Sequence, residues 1–153
     1  MKPIHENATG LLTLVLRLVV AGVFVTAAIE KILDPVAFEG AILSYRVAGA
    51  ALAGWTALLL PWLELVTGFG LLLRPIRRTS GCILGLLLLG FIGLHISAWT
   101  RGLDIDCGCF GAPEETVGYH WLILRNSALL AATLWSTYES FRNSDARLPS
   151  NRE

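Results

Sequence analysis

The chain has 153 residues, 54% of them hydrophobic and 16% charged, well below the roughly 25% charged content of a soluble domain. Twelve basic and twelve acidic residues cancel, which argues against a nucleic-acid footprint, and no nucleic acid is expected as a partner. The length suits one domain over residues 1–153, and three cysteines are too few for a disulfide scaffold.

Residues 1–9 are a short polar tail. Residues 10–29 are the first predicted span, about 30 Å long as a helix, which matches the hydrocarbon thickness of a bilayer. No small-residue cleavage site follows it, and it runs too long for the core of a signal peptide, so it is expected to be a retained anchor. Its one charge is Arg17. Glu30, Lys31 and Asp34-Pro35 close it, because proline cannot continue the helical ladder.

Residues 36–47 are too few to span. Val36, Phe38, Ile42 and Leu43 share a face, with Glu39 and Arg46 for the polar side. This predicts a short helix lying in the interface, with a packed loop as the alternative.

Residues 48–73 are the second predicted span. Trp55 and Trp62 flank Pro61, and a kink is expected over residues 57–61. Glu64 follows one turn later, well inside the apolar run. Residues 74–78 form a tight basic turn. The third span, 79–99, carries Gly81, Gly85, Gly90 and Gly93, and the Gly81-xxx-Gly85 spacing lets a neighbouring backbone approach closely. Cys82 reads as a small buried hydrophobe. After the acidic loop 101–118, residues 119–138 are the fourth span. Arg125 lies inside it, and Tyr119, Trp121, Trp135 and Tyr138 lie near its ends, where aromatics favour the headgroup level. A polar tail follows. The fold class is all-α: an integral membrane four-helix bundle with a short interfacial helix after the first span.

The loops set the orientation. Lys2, Arg74, Arg77, Arg78, Arg142, Arg147 and Arg152 fall on one side, and Lys31, Arg46 and Arg101 on the other. Cations concentrate on the cytoplasmic side, so both termini are expected in the cytoplasm of a multi-pass cell (inner) membrane protein. The loop with Cys107 and Cys109 is then extracytoplasmic, where disulfides form and persist.

That loop reads Asp106-Cys107-Gly108-Cys109-Phe110-Gly111. A Cys-Gly-Cys disulfide closes a very small ring and strains the preferred torsion and Cα separation. Strain raises the reduction potential, which suits a dithiol that exchanges with other thiols. Two other readings stay open. With His95 and His120 the pair would make a Cys2His2 metal site, although the spacing matches no common zinc motif. A structural clasp or unpaired thiols is the other reading. Cys82 is some 25 residues away, roughly 35 Å along a helix, and cannot pair with the loop.

Charges inside a bilayer are rare and usually paired. Arg17 and Glu64 lie at similar depths counted from the cytoplasmic ends of their spans, so an Arg17–Glu64 pair is expected, either as a structural salt bridge or with Glu64 handling a proton or a quinone oxygen. Arg125 either favours a thiolate at Cys107 or Cys109 or snorkels to the headgroups. His95 and His120 are candidates for proton transfer near the loop.

Three stretches together carry a family resemblance. They are Arg17 and Gly22 with Glu30-Lys31, Asp34-Pro35 and Phe38; Pro61-Trp62-Leu63-Glu64-Leu65-Val66-Thr67-Gly68; and Asp106-Cys107-Gly108-Cys109-Phe110-Gly111 with Arg125-Asn126. They run from about residue 11 to 138. On them the chain resembles the MauE family of methylamine-utilisation proteins, within the broader DoxX-like group of four-span membrane proteins. The Cys loop is the specific part; the Pro-x-x-Glu and arginine signals are generic to the group. The resemblance implies a role in maturing the disulfide-rich small subunit of methylamine dehydrogenase, or another extracytoplasmic client, alongside a thioredoxin-like MauD-type partner. It implies that Cys107 and Cys109 are the redox pair, supported by the membrane-embedded Arg17, Glu64 and Arg125. Alternatives from other classes are a non-catalytic membrane assembly factor with a structural or metal-binding Cys loop, and a DoxX-like quinone oxidoreductase subunit. No cofactor is required by the residues; a quinone is the one the alternatives admit.

Overall fold

The computed structural model describes residues 4–103 and 118–145, and side chains over 9–103 and 118–142. The Cys107-Gly108-Cys109 loop, Gly111, the first three residues and the tail beyond 145 lie outside the described residues. The described chain is all helical: α1 (Ile4–Leu33), α2 (Pro35–Ser44), α3 (Ala50–Gly70), α4 (Arg77–Thr100) and α5 (Tyr119–Asp145).

Each long helix buries one narrow stripe at helical spacing. In α3 the buried positions are Ala53, Ala57, Pro61, Glu64, Thr67, Gly68 and Gly70. In α4 they include Ser80, Gly81, Leu84, Gly85, Leu88, His95 and Ala98. In α5 Leu122, Asn126, Leu129, Thr133, Ser136 and Thr137 follow the same period. The inner faces are thus small or polar. The outer faces carry Leu18, Leu52, Trp55, Leu86, Leu124 and many similar side chains, about half exposed or more. That inversion of the soluble pattern belongs to helices solvated by lipid, where close backbone approach replaces the hydrophobic effect between helices. Three helices are long and apolar enough to cross a membrane: residues Thr9–Leu33 of α1, α3 and α4. The chain is a membrane protein.

The helices pack with α1 against α3 and α5, α4 against α3 and α5, and α2 against α3 and, less extensively, α1. The α4–α5 seam depends on Gly81: a Cβ there would run into the side chain of Thr137, its Cβ included. Gly85 is less demanding, since a Cβ would only touch Leu130 at 4.0 Å. The Gly81-xxx-Gly85 expectation therefore holds chiefly at its first glycine. The apolar centre joins Val20, Phe24, Leu71, Leu84, Leu88 and Leu129.

Local chemistry sets the helix ends. Asp34 stops α1 and starts α2: its carboxylate accepts from the Ala37 amide at 2.9 Å, and Pro35 occupies the first turn, where it needs no amide partner. In the basic turn, Arg77 donates to the carbonyls of Leu71 and Leu72, so a cation covers the C-terminal end of α3. Pro61 is buried inside α3, which is helical on both sides of it.

Two sequence expectations are corrected. Cys82 is exposed rather than buried. It lies on the α4 face opposite the Gly81–Leu84–Leu88 stripe, a side that a seam made by neighbouring glycines does not reveal. Lys31 is not a loop cation. α1 continues to Leu33, and Lys31 is buried within it.

Candidate functional site

A cavity of about 130 Å³ lies among the helices, lined by side chains from all five and by Tyr45 and Val47. Its walls are mostly apolar, and four of its polar side chains form two contacting pairs.

The first set is Lys31 and Glu64. The Lys31 ammonium lies 2.7 Å from both Glu64 oxygens, with side-chain exposures of 4% and 1%. The Phe38 and Phe91 rings flank the ammonium, their centroids at 5.0 and 5.4 Å. Two aromatic faces and a carboxylate together hold a lysine that apolar walls would otherwise reject.

The second set is Tyr45 and His95. The tyrosine hydroxyl is 3.0 Å from His95 Nδ1, and the two rings stack at 5.9 Å and 13°. His95 is buried, five residues before the end of α4 and so about 8 Å from it. Arg125 and Asn126 of α5 line the same cavity.

The expected Arg17–Glu64 pair does not form. Gly68 of α3 sits against Phe24, Val25 and the Ala21 carbonyl of α1. α3 runs antiparallel to α1, so Glu64, one turn before Gly68, meets Lys31. Arg17, one turn before Ala21, is displaced toward the opposite end. There it ties α1 to α5 through Ser136 Oγ at 2.7 Å, Ser140 Oγ at 2.9 Å and the Ser136 carbonyl. Counting depth from the expected cytoplasmic ends put the two residues level, whereas the register at Gly68 sets Arg17 near the level of the C-terminal end of α3.

The cavity lies beneath the stem of the Cys loop. Tyr119 donates its hydroxyl to the Leu103 carbonyl, which joins the two ends of segment 104–117. Arg101 donates to the carbonyls of Tyr45 and Arg46, covering the C-terminal end of α2. Arg46 adopts a left-handed φ of 52° there. The Tyr45 that meets His95 is therefore also held by the residue that precedes the loop. His120 lies outside the cavity, edge-on to Trp99 at 5.0 Å. Among the described residues no cluster of His, Cys, Asp and Glu could hold a metal ion.

Arg17 and Glu64 thus belong to different parts of the molecule, and Glu64 and Arg125 share the cavity. Sequence reasoning missed Lys31 and Tyr45 as site residues. A signal existed for Lys31, a lone lysine one turn before a helix stop in an apolar run. None existed for Tyr45, whose position depends on how α2 packs.

These features define a polytopic helical membrane protein with a central cavity that carries a few polar groups. The chain belongs to the MauE family: the family model "Methylamine utilisation protein MauE" matches residues 9–139. It is 32% identical over 120 residues to methylamine utilization protein MauE of Paracoccus denitrificans, covering 78% of this chain and 64% of that protein. It is also 32% identical over 122 residues to MauE of Methylophilus methylotrophus, covering 77% and 63%. The chain thus spans just under two thirds of the length of these curated relatives. No solved structure matches it.

Proposed function

We propose that this protein is a membrane accessory factor of methylamine utilisation that works by thiol–disulfide exchange. Cys107 and Cys109 are the exchanging pair. A thioredoxin-like protein of MauD type is one partner, and the small subunit of methylamine dehydrogenase, or another extracytoplasmic protein, is the client. α5 is a fourth span, α2 sits toward the outer interface, both termini are cytoplasmic, and the Cys loop faces outward from the inner membrane.

The observation that carries this reading is the placement of the loop stem. Leu103 and Tyr119, which flank segment 104–117, are joined through the tyrosine hydroxyl, and nearby Arg101 holds the Tyr45 that meets His95 at the cavity. α5 is less apolar than the other long helices, and part of its polarity is the buried stripe Asn126, Thr133, Ser136 and Thr137, which faces helices rather than lipid. Its outer face keeps Leu124, Leu134, Trp135 and Tyr138.

Exchange proceeds through a mixed disulfide: a thiolate attacks a disulfide sulfur, and the second cysteine resolves the adduct. The test is trapping. In cells holding the thioredoxin-like partner, Cys107→Ser or Cys109→Ser should accumulate a reductant-sensitive adduct that the double variant lacks. Failure of both single variants to trap any adduct overturns the reading.

A further inference from the structure

We infer that the end of the molecule at the α3–α4 turn binds the phosphate of an anionic phospholipid. The inference is independent of thiol exchange. Three guanidiniums converge at this end. Arg17 donates to Ser140 Oγ and Arg78 to the Ser140 carbonyl, so the two meet around one serine. Arg77 is close enough to Arg17 for their charges to repel, and Arg74 is close enough to Arg77. The helix register explains the convergence. Gly68 of α3 sits against Ala21 of α1, so the turn that carries Arg74 and leads to Arg77 reaches the level of Arg17.

Each guanidinium is fixed by neutral partners. Two α5 hydroxyls and a carbonyl hold Arg17, and the carbonyls of Leu71 and Leu72 hold Arg77. Arg78 is held by the Ser140 carbonyl and by the Phe141 ring, 4.8 Å away. In all three, Nη1 donates to nothing among the described residues, and none of the three is in an ion pair there. None is fully buried. One carboxylate stands among the described side chains of this end, Glu139. Arg142 takes it at 3.0 Å, and it lies beyond ion-pair distance of Arg17. Cations held within a membrane protein find a counter-charge, and a guanidinium fork matches the oxygens of a phosphate. Because these forks are already anchored, binding costs them little freedom.

The surroundings select a lipid over a free ion. Leu14, Leu73, Ile76 and Phe141 neighbour the arginines in sequence and are exposed. Such faces meet acyl chains, so a phosphate held at the arginines has its tails accommodated beside it. The charge selects an anionic lipid over a zwitterionic one. The ammonium of a zwitterion would be brought among arginines, where the described carboxylate is already paired.

The test uses the full chain in nanodiscs of phosphatidylcholine with a graded share of phosphatidylglycerol. Lipid that stays with the chain is counted by native mass spectrometry. One phosphatidylglycerol per chain should be retained, and phosphatidylcholine should not. Arg78→Gln should weaken retention about ten-fold, the low end for a hydrogen bond to a charged group. Arg74→Gln breaks no hydrogen bond among the described residues, so it reports on the site without a cost to the fold. It should weaken retention about five-fold, the worth of one arginine near an anionic surface. Arg46→Gln makes the same charge change at the opposite end and should bind as the wild type does. Equal retention of the two lipids overturns the site, as does retention unchanged in both Arg78→Gln and Arg74→Gln. An equal loss in Arg46→Gln means general surface charge and overturns it too. Displacement of the lipid by excess inorganic phosphate would show a site for a free anion, and the lipid assignment would fall.

Discussion

Lys31 and Glu64 meet as a bidentate ion pair with both N–O distances at 2.7 Å, joining α1 to α3 in a region where neither side chain reaches solvent. Removing one member leaves a buried, uncompensated charge, which costs about 3–5 kcal/mol, whereas replacing both with apolar groups of similar volume is often neutral. Glu64→Ala and Lys31→Met should each lower the melting temperature in detergent sharply. The double variant Lys31→Met/Glu64→Leu should recover most of the loss. Single variants as stable as the wild type would show that the pair is not buried as described.

Arg17 is a separate element of stability. Its guanidinium reaches two hydroxyls and a carbonyl on α5, a fork that an ammonium does not reproduce. Arg17→Ala should cost about 1.5–3 kcal/mol, the range for hydrogen bonds to a charged group. Arg17→Lys should restore only part, measured as thermal stability. Neither should change the redox behaviour of the Cys pair.

The two glycines of the α4 motif should separate in mutagenesis. Gly81→Ala forces a methyl group into Thr137, so a loss of about 1–3 kcal/mol is expected for overpacking. Gly85→Ala adds only an ordinary contact with Leu130 and should stay within about 0.5 kcal/mol of the wild type. Melting temperatures of the two variants side by side decide the matter.

The long apolar runs made the helices legible in the sequence, because twenty apolar residues have few alternatives to crossing a bilayer. Asp34-Pro35 was legible as a break, and it proved to be a stop and a start together. What failed was the pairing of charges. Lys31 beside Glu30 and Asp34 looked like the polar edge of a span, and only the α1–α3 register at Gly68 shows that it turns inward. Cys82 failed for a related reason: the sequence gives the spacing of a helix face but not which neighbour covers it. The Tyr45–His95 contact joins residues 50 positions apart, and it depends on the path of α2, which no local pattern encodes.

The proposal that α5 is a fourth span is open to a topology test. An activity reporter that works only outside the cytoplasm, fused after Gly118, should be active. The same reporter fused after Asp145 should be inactive, and a cytoplasm-only fluorescent reporter there should be bright. Identical behaviour at both positions would mean that α5 does not cross.

The central claim concerns Cys107 and Cys109, and its most direct test is the midpoint potential of that pair. Membranes would be equilibrated in graded glutathione buffers and the thiols alkylated, using a Cys82→Ala background so that only the pair reports. Cys82 is exposed on α4 away from the cavity, and its removal should leave the couple unchanged. The account expects a reversible couple well above about −300 mV, the range of labile, exchange-active disulfides. A bond that stays oxidised across the series, or thiols that never oxidise, would contradict it.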